Sequence, residues 1–524
     1  MTRALVAVLI ASLVVLIAGC GSNPTPRPAG SGNASTNAAT ATVGFEPSFE
    51  VSPCPDDVSG EVVYSISCGY LTTLEDRSKP MGRTVRMFVV RIDPPGGATT
   101  PDPMIMVSGG TFGARPDYGG LGGRMHRVEY VIDPLGSAHS QPSLDCPEVD
   151  AVSPTLVGMR FSDSAHASTL RGAVAACHDR LVGQGIDLAA YDVAAQAADI
   201  EDLRVALGIG RWNAIAYGVG SRIAFEEARA SPRGLRTIIV DSPTLPAPDL
   251  LTIAPAAMDL GISRLAAQCD AVPQCARRAP DLAAAIREAV ARLDSTPLIL
   301  DVDGTERATL LGHPVRVVVD GAGLLRWIRA TLTDGEGHRA GTIITTVLSV
   351  LDGKVGVQDP HVLSLASDVG DCLGILPHCT GVSTGAMYSI VCRDLLPAID
   401  HTRLDRDVAG RRPYAELFSP GPLGVACSAW SVPAAPAASP SIAADVPTLI
   451  LRGWIDPFSA PPGDVAAAIA GTANAYQLEI PNQSYNALAT GCPRTISDAW
   501  LDSPAASPAD TSCLAHISPF DLRQ

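Results

Sequence analysis

The fold of this chain is decided by the stretch Trp212-Asn213-Ala214-Ile215-Ala216-Tyr217-Gly218-Val219-Gly220-Ser221-Arg222-Ile223-Ala224. An apolar run with strand character comes first. It meets a glycine-rich corner, and a helical pattern follows at once. The stretch therefore predicts a buried strand that turns sharply into a helix.

A sharp turn of this kind carries the nucleophile of α/β-hydrolases, in the pattern G-x-S-x-G. Here the five corner positions read Ala216-Tyr217-Gly218-Val219-Gly220. Gly218 occupies the nucleophile position, and the backbone N–H of Val219 occupies an oxyanion-donor position. A glycine cannot form an acyl-enzyme. It does relieve the backbone strain of such a turn, which costs another residue about 1–3 kcal/mol.

Bulk composition narrows the class of protein. The chain has 524 residues, 46% of them hydrophobic, which is ample for a large core. Its net charge of -16 argues against a nucleic-acid partner. No His/Cys cluster has the spacing of zinc ligands, so we expect neither a metal nor a cofactor.

The N-terminus predicts export. Arg3 precedes an apolar run, Ala4 to Ile17, that is short for a membrane-spanning helix. Small residues then lead to Cys20, as in a bacterial lipobox. We predict a lipoprotein signal peptide over 1–19 and lipidation of Cys20, which would anchor the protein to the outer face of the cell membrane. An ordinary signal peptide and an anchor helix are the alternatives. Residues 20–47 are predicted to be a disordered tether.

The cysteine count agrees with export. There are thirteen cysteines, and twelve remain after Cys20. An even number suits an oxidising compartment. Sequence alone does not fix connectivity, but neighbours along the chain suggest the pairs Cys54–Cys68, Cys146–Cys177, Cys269–Cys275, Cys372–Cys379, Cys392–Cys427 and Cys492–Cys513.

Strand and helix patterns alternate on both sides of the opening stretch, which predicts a mostly parallel sheet covered on both faces. From about Pro246 to Pro433 helical runs dominate. We therefore predict an α/β-hydrolase core in two parts, 48–250 and 431–524, with a helical cap inserted at 251–430.

Several short motifs, in their order and spacing, carry a family resemblance. They include Cys68-Gly69-Tyr70-Leu71-Thr72, Leu144-Asp145-Cys146-Pro147-Glu148, Val240-Asp241-Ser242 and Gly453-Trp454-Ile455-Asp456-Pro457. From about Val51 onward the chain resembles secreted actinobacterial α/β-hydrolases of the tripeptidyl aminopeptidase type, which have a helical cap and a TAP-like C-terminal segment.

This resemblance implies a Ser–His–Asp triad. The acid falls on Asp456, the nucleophile on Gly218, and the histidine position on Tyr485, which is a poor base because a tyrosine hydroxyl is neutral at pH 7. The oxyanion-like residues are Gly110 and Thr111, in a loop that reads Gly110-Thr111-Phe112-Gly113 where the family usually has Gly-Gly-Pro-Gly. Two of the three catalytic groups are therefore missing.

Other residues are candidate replacements for the missing groups. Ser221 is an alternative nucleophile, but its place in the first helical turn favours packing or capping. His139 could face the pocket, although a surface position in its loop is the simpler interpretation. Asp456 could equally be a turn carboxylate that accepts backbone N–H groups.

Three functions remain open from the sequence. The first is an inactive, lipid-anchored protein that binds a peptide or apolar ligand between core and cap. The second is an active serine hydrolase with a rearranged site that uses Ser221. The third is a structural partner protein whose pocket is filled by side chains.

Overall fold

The computed structural model of the protein describes residues 45–58, 64–107, 126–160, 162–247, 250–303, 313–333, 340–354, 359–362, 365–366, 383–409, 421–437, 442, 446–489, 491–504, 507–520 and 522. The predicted leader (1–19), Cys20 and the oxyanion pair Gly110 and Thr111 lie outside the described residues, as does most of the predicted tether (20–47).

A large sheet organises the described part of the chain. In chain order its strands are β1 (Ser48–Ser52), β2 (Ser65–Leu74), β3 (Thr84–Asp93), β4 (Met104–Val107), β5 (Glu129–Ile132), β6 (Trp212–Tyr217), β7 (Leu235–Asp241), β10 (Thr448–Gly453) and β11 (Ala475–Ile480), while β8 (Leu298–Val302) and β9 (Val315–Val319) form a separate pair. The nine strands of the large sheet are ordered β1-β2-β3-β5-β4-β6-β7-β10-β11. The pairs β1–β2, β2–β3 and β3–β5 are antiparallel, and the remaining pairs of this sheet are parallel.

The register brings the carboxyl ends of the central strands to one edge. Ala216 of β6 pairs with Val240 of β7, and Val240 pairs with Ile450 of β10. In open α/β sheets this edge is where ligands bind. The turns that follow β6, β7, β10 and β11 therefore meet at the position where a functional site is expected.

Helices cover the sheet and build the inserted segment. In chain order they are α1 (Pro147–Leu156), α2 (Ser164–Gly183), α3 (Val193–Ala206), α4 (Gly220–Ala230), α5 (Leu250–Ala271), α6 (Pro273–Arg278), α7 (Leu282–Ser295), α8 (Gly321–Leu332), α9 (Ala340–Leu351), α10 (Thr384–Ile390), α11 (His401–Ala409), α12 (Gly421–Trp430), α13 (Pro462–Ala468) and α14 (Gly491–Asp502).

Local signals explain where these helices begin and end. Helix α3 starts after Asp192, whose side chain accepts the N–H of Ala195 at 2.8 Å. It ends before Gly208, which adopts φ +67°. A capping carboxylate and a left-handed glycine are the expected signals at the two ends of a helix. Asp281 caps α7 in the same way, through the N–H of Ala284.

The predicted cap segment divides into two parts by its packing. Helices α5 to α9 and the antiparallel pair of β8 and β9 form a second apolar cluster, which Ile455, Phe520 and Leu522 of the C-terminal part also join. The sequence pattern of this segment indicated mainly helices, and β8 was not predicted. By contrast, α10 and α12 pack into the same cluster as the central strands and α2. The indole N–H of Trp430 donates to Ser389 in that cluster, at 3.1 Å.

Disulfides reinforce the described part of the chain. The bonds formed there are Cys54–Cys68, Cys146–Cys177, Cys269–Cys275, Cys392–Cys427 and Cys492–Cys513, each as predicted. The suggested pair Cys372–Cys379 lies outside the described residues. Because each bond closes a short loop, each restricts the unfolded chain locally and contributes to stability.

Two further properties concern only the ranges that the structure describes. No helix in them is both long and apolar enough to cross a bilayer. No group of three or more His, Cys, Asp or Glu side chains in them is placed to hold a metal ion.

Candidate functional site

The site begins at the corner between β6 and α4. Gly218 adopts φ +49°, in the left-handed region that favours glycine. Its N–H donates to the carbonyl of Asp241 at 3.1 Å, and its own carbonyl accepts the N–H of Ser221 at 3.0 Å. These bonds give the corner the geometry of a nucleophile elbow, with a position at its tip that has no side chain.

Tyr485 lies directly against that tip. A Cβ added to Gly218 would be 2.7 Å from the hydroxyl oxygen of Tyr485 and 3.5 Å from its Cε2 and Cζ. The structure therefore brings together the two positions that the sequence assigned to the nucleophile and the histidine. The tyrosine hydroxyl stands where the side chain of a nucleophile would begin.

The turn that carries Tyr485 is fixed to neighbouring strands. Asn482 and Asn486 on either side of it have positive φ, at +55° and +61°. The N–H of Asn486 donates to the hydroxyl of Ser242 at 3.2 Å, and the N–H of Leu488 donates to Asp241 at 2.6 Å. The turn is thus held by hydrogen bonds from its backbone N–H groups to side chains at the end of β7, and not by packing alone.

Asp456 is fully buried in the loop after β10. Its Oδ1 accepts the N–H groups of Phe458 at 2.8 Å and Ser459 at 3.2 Å, and its Oδ2 accepts the hydroxyl of Ser459. Within the described residues this carboxylate makes no hydrogen bond to Tyr485. Its observed contacts are those of a turn carboxylate that stabilises its own loop.

Arg452 is fully buried and stabilises the same loop. Its guanidinium donates to the carbonyls of Gly453, Asp456 and Ala460 at 2.8, 3.1 and 2.9 Å. Gly453 is required for the fit, because a Cβ there would overlap the backbone carbonyl of Ser484. The acid loop and the tyrosine turn therefore pack backbone against backbone.

The electrostatics of the site favour protonated groups. Burial raises the pKa of Tyr485, and the charges of Asp456 and Asp241 raise it further. Burial also raises the pKa of Asp241 to about 7, opposed by the N–H of Leu488. Tyr217, at the end of β6, has a buried hydroxyl with no hydrogen-bond partner among the described residues. Neither tyrosine can serve as a general base for a serine, because burial raises the pKa of both phenols and keeps them protonated at neutral pH.

Ser221, the alternative nucleophile, is fully buried beneath the elbow. Its Oγ lies 2.5 Å from the carbonyl oxygen of Gly218 and 2.9 Å from that of Thr244, within donating distance of both. It also accepts the N–H of Thr244 at 2.8 Å. The hydroxyl therefore joins the elbow to the segment after β7.

Three further residues bear on the site: Val219, which directly follows Gly218 in the elbow, and the histidines His139 and His516. The oxyanion pair Gly110 and Thr111 lies outside the described residues. Val219 is helical at the start of α4, with φ −61° and ψ −27°. His139 is partly exposed; its Nδ1 lies 3.3 Å from Asp133, and its ring contacts Phe88 at 4.9 Å between centroids. His516 belongs to a short 3-10 turn near the C-terminus.

Helix α8 of the inserted segment packs against the loops of the site, and we call this helix the roof. Arg329 of α8 places its guanidinium carbon 3.6 Å from the ring centroid of Phe458. Phe458 in turn meets Tyr485 edge to face, at 6.4 Å between centroids. At the end of α8, the carbonyl of Leu332 accepts the hydroxyl of Ser484. The roof is thus bonded to the turn that carries Tyr485.

A second set of bonds fastens α5 to the ends of β10 and β11. Arg264 donates to the carbonyl of Trp454 and pairs with Glu479. Gln268 donates to the side chain of Asn482 at 2.7 Å. These contacts are polar and specific, so the inserted segment is held closely against the loops of the site.

Sequence reasoning missed Arg452, Phe458 and Arg329. Arg452 did leave a signal, since it is a lone charge in the apolar strand Leu449 to Gly453, and a buried charge must be bonded. Phe458 and Arg329 could not be recognised from the sequence, because their contact depends on how the inserted segment packs against the core.

Comparisons with known proteins add little detail. No protein-family model matches the chain, and no curated protein matches it. Among solved structures, the chain is similar to an alpha/beta hydrolase fold protein from Chitinophaga pinensis, at 12% identity over 80% of this chain and 94% of that chain, with a TM-score of 0.35. It is also similar to proline iminopeptidase from Mycobacterium smegmatis, at 13% identity over 80% and 91%, with a TM-score of 0.33.

A third similar structure is an alpha/beta hydrolase from Novosphingobium aromaticivorans, at 14% identity over 84% of this chain and 97% of that chain, with a TM-score of 0.33. Scores of this size carry no argument about chemistry. The strand order, the elbow at Gly218 and the loops after β10 and β11 carry the assignment instead. On that evidence the chain has the α/β-hydrolase fold.

Proposed function

We propose that this chain is a lipid-anchored protein of the bacterial cell envelope that binds a ligand in a hydrolase-type cleft without hydrolysing it. The ligand is a peptide or another largely apolar molecule held between the core and the inserted segment. By descent the protein belongs with the tripeptidyl aminopeptidase type that its motifs resemble.

One observation supports the proposed loss of catalysis. Tyr485 fills the space in which a nucleophile on residue 218 would stand, and residue 218 is a glycine. Covalent serine catalysis requires a hydroxyl, a base that takes its proton and a group that orients the base. The converging positions hold neither a serine hydroxyl nor a histidine that could take its proton.

The surroundings support the same proposal. Ser221 is bonded to backbone groups on two sides, so its hydroxyl is committed to structure. Among the described residues, His139 is engaged with Asp133. Asp456 accepts bonds from its own loop, as a carboxylate without a histidine partner would.

A fluorophosphonate probe tests this proposal, because it labels activated serines. We expect no labelling of the purified full-length protein. Labelling that disappears in Ser221→Ala but persists in Ser428→Ala would overturn the proposal. Ser428 is a suitable control because it is exposed on α12 and bonds only within its own helix, to the carbonyl of Val425.

The lipid anchor needs its own test. Cells that express the protein are fed an alkyne-bearing palmitate, and the lipid is detected on the isolated chain. We expect incorporation in the wild type and none in Cys20→Ala, with Cys20→Ala lost from the membrane fraction. Equal incorporation in both would show that Cys20 is not the lipidated residue.

A further inference from the structure

A second cleft, with a volume of about 350 Å³, opens at the edge of the sheet opposite to the elbow. One wall is the loop that leads into β4, the other is the loop between α3 and β6, and the start of β5 forms the floor. Arg211 lines the cleft just before β6. The six residues of β6 separate it from Gly218, which is about 20 Å along a strand. The cleft is therefore distinct from the site around Tyr485.

Hydrogen bonds to regular elements hold both walls in place. In the first wall, the backbone N–H of Asn213 donates to the carbonyl of Pro103 at 2.9 Å, and its side-chain amide donates to the same carbonyl at 3.2 Å. In the second wall, the N–H of Ile209 donates to the carbonyl of Arg204 at 3.0 Å. The guanidinium of Arg204 donates to the carbonyl of Gly210, also at 3.0 Å. The cleft is thus formed before any ligand arrives.

Arg211 supplies the cleft with an unbalanced positive charge. Its side chain is exposed, and it makes no hydrogen bond and no ion pair with any residue of the described ranges. Asp102 is the other charged residue of the two walls. It is already paired with Arg127 at 3.2 Å and with Arg236 at 3.3 Å. An anion that enters the cleft therefore meets a cation whose charge is not neutralised nearby.

Much of the remaining lining is apolar. Val128 and Tyr130 alternate along the chain and so share the face that forms the floor of the cleft, whereas Glu129 between them points to the other face. Further apolar surface comes from Pro101, Pro103 and Ile209. A ligand that matches this lining has an apolar body and one negatively charged group.

We propose that this cleft binds a small organic anion. Its apolar ring or chain lies against Val128, Tyr130 and Ile209, and its anionic group is bonded by Arg211. Guanidinium groups recognise such oxyanions through paired hydrogen bonds. The volume of the cleft falls within the range of small-molecule sites, about 300–1,000 Å³. This site does not depend on the proposed function, because it lies at the other edge of the sheet.

The test compares two probes that differ in one group, naphthoate and the uncharged naphthamide. Calorimetric titration of the full-length protein should give binding of naphthoate at least about tenfold tighter than that of naphthamide. Arg211→Gln should weaken naphthoate binding by about tenfold or more and change naphthamide binding little. Arg233→Gln is the matched control, because Arg233 is an exposed arginine of the turn before β7 and lies outside the lining of the cleft. It should change neither affinity.

A second variant blocks the cleft without touching its charge. Gly210 lines the cleft, and a Cβ at this position meets nothing within 4 Å, so Gly210→Trp places a ring in the cleft without a clash at its base. We expect Gly210→Trp to abolish binding of both probes. Gly172→Trp, on an exposed face of α2 where a Cβ also meets nothing within 4 Å, should leave both affinities unchanged.

Three results would overturn the proposal. They are equal affinity for naphthoate and naphthamide, absence of naphthoate binding to the wild type, and naphthoate binding that survives in Gly210→Trp. Inorganic phosphate that binds as tightly as naphthoate would show that the apolar lining contributes nothing, and would overturn it as well. None of these results affects the proposed loss of catalysis, which fluorophosphonate labelling decides.

Discussion

The hydroxyl oxygen of Tyr485 lies 2.7 Å from the point where a Cβ on Gly218 would stand. Observed Cβ atoms do not approach other atoms this closely, so the two positions are mutually dependent. The tyrosine fits because residue 218 is a glycine, and a larger residue at 218 requires the tyrosine to move.

The first prediction concerns this dependence. Gly218→Ser should lower the free energy of unfolding by about 1–3 kcal/mol, from the collision and from φ +49°. In a Tyr485→Phe background the cost should shrink, because the colliding oxygen is gone. Urea denaturation of the two single variants and the double variant gives the coupling.

A suitable control is Gly172→Ser, on an exposed face of α2 where a Cβ meets nothing within 4 Å. It should be neutral or slightly stabilising. If Gly218→Ser costs the same in the wild type and in the Tyr485→Phe background, the tyrosine hydroxyl does not constrain residue 218.

The second prediction concerns chemistry. Gly218→Ser combined with Tyr485→His should react with the fluorophosphonate probe, whereas the wild type and either single variant should not. The reason is that the double variant supplies both missing groups on a scaffold that already holds Asp456 in place. An inert double variant would mean that Asp456, bonded to its own loop, does not orient the new histidine.

The third prediction concerns Ser221. Ser221→Ala should destabilise the protein by about 1–3 kcal/mol, because it leaves the buried N–H of Thr244 without its acceptor. Thermal or urea unfolding measures the loss. Ser428→Ala, at an exposed helix position, should change the free energy of unfolding little. A neutral Ser221→Ala would argue against the structural role.

The fourth prediction concerns pH. Glu227 of α4 is fully buried: its Oε1 accepts the indole N–H of Trp212 at 3.3 Å, and its Oε2 has no partner among the described residues. Burial raises its pKa from 4.5 to about 8. The folded state thus binds the proton more tightly than the unfolded chain. Its contribution to stability is complete below pH 4.5 and is lost as the pH rises through about 8.

We therefore expect the free energy of unfolding of the wild type to fall between about pH 5 and pH 8, since each pKa unit is worth about 1.4 kcal/mol. Asp241, whose pKa burial raises to about 7, acts in the same direction. Glu227→Gln should reduce the slope, whereas Glu226→Gln, at the neighbouring position that pairs with Arg229, should leave it unchanged. Identical slopes in wild type and Glu227→Gln would contradict the assignment.

The sequence predicted the parts of the molecule that depend on local pattern. The strand Trp212–Tyr217, the corner at Gly218 and the helix from Gly220 are observed where the opening stretch predicts them, and the side chains of Asp192 and Asp281 cap their helices. Such features depend on hydrophobic period and on the hydrogen bonds of a single side chain. The strand Leu298–Val302 was not predicted because its exposed face carries both the apolar Ile299 and the charged Asp301. The regular alternation of apolar and polar residues that indicates a strand is therefore weak there.

The same distinction between local pattern and distant contacts applies to the candidate site. The correspondence of Gly218, Asp456 and Tyr485 with a triad was implied by the family resemblance, and the structure brings Gly218 and Tyr485 together. What Asp456 bonds to could not be predicted, since that depends on the conformation of its loop. The stacking of Arg329 on Phe458 joins segments distant in the chain, and no local pattern encodes it.

The need for a glycine at position 453 affects how the motif around it is interpreted in other sequences. The lack of a side chain at Gly453 is demanded by the backbone of Ser484, whether or not the protein is an enzyme. Folding alone therefore requires a glycine at this position, so its presence in a sequence says nothing about catalysis. The residues at positions 218 and 485, and not the motif around Gly453, bear on whether a triad is complete.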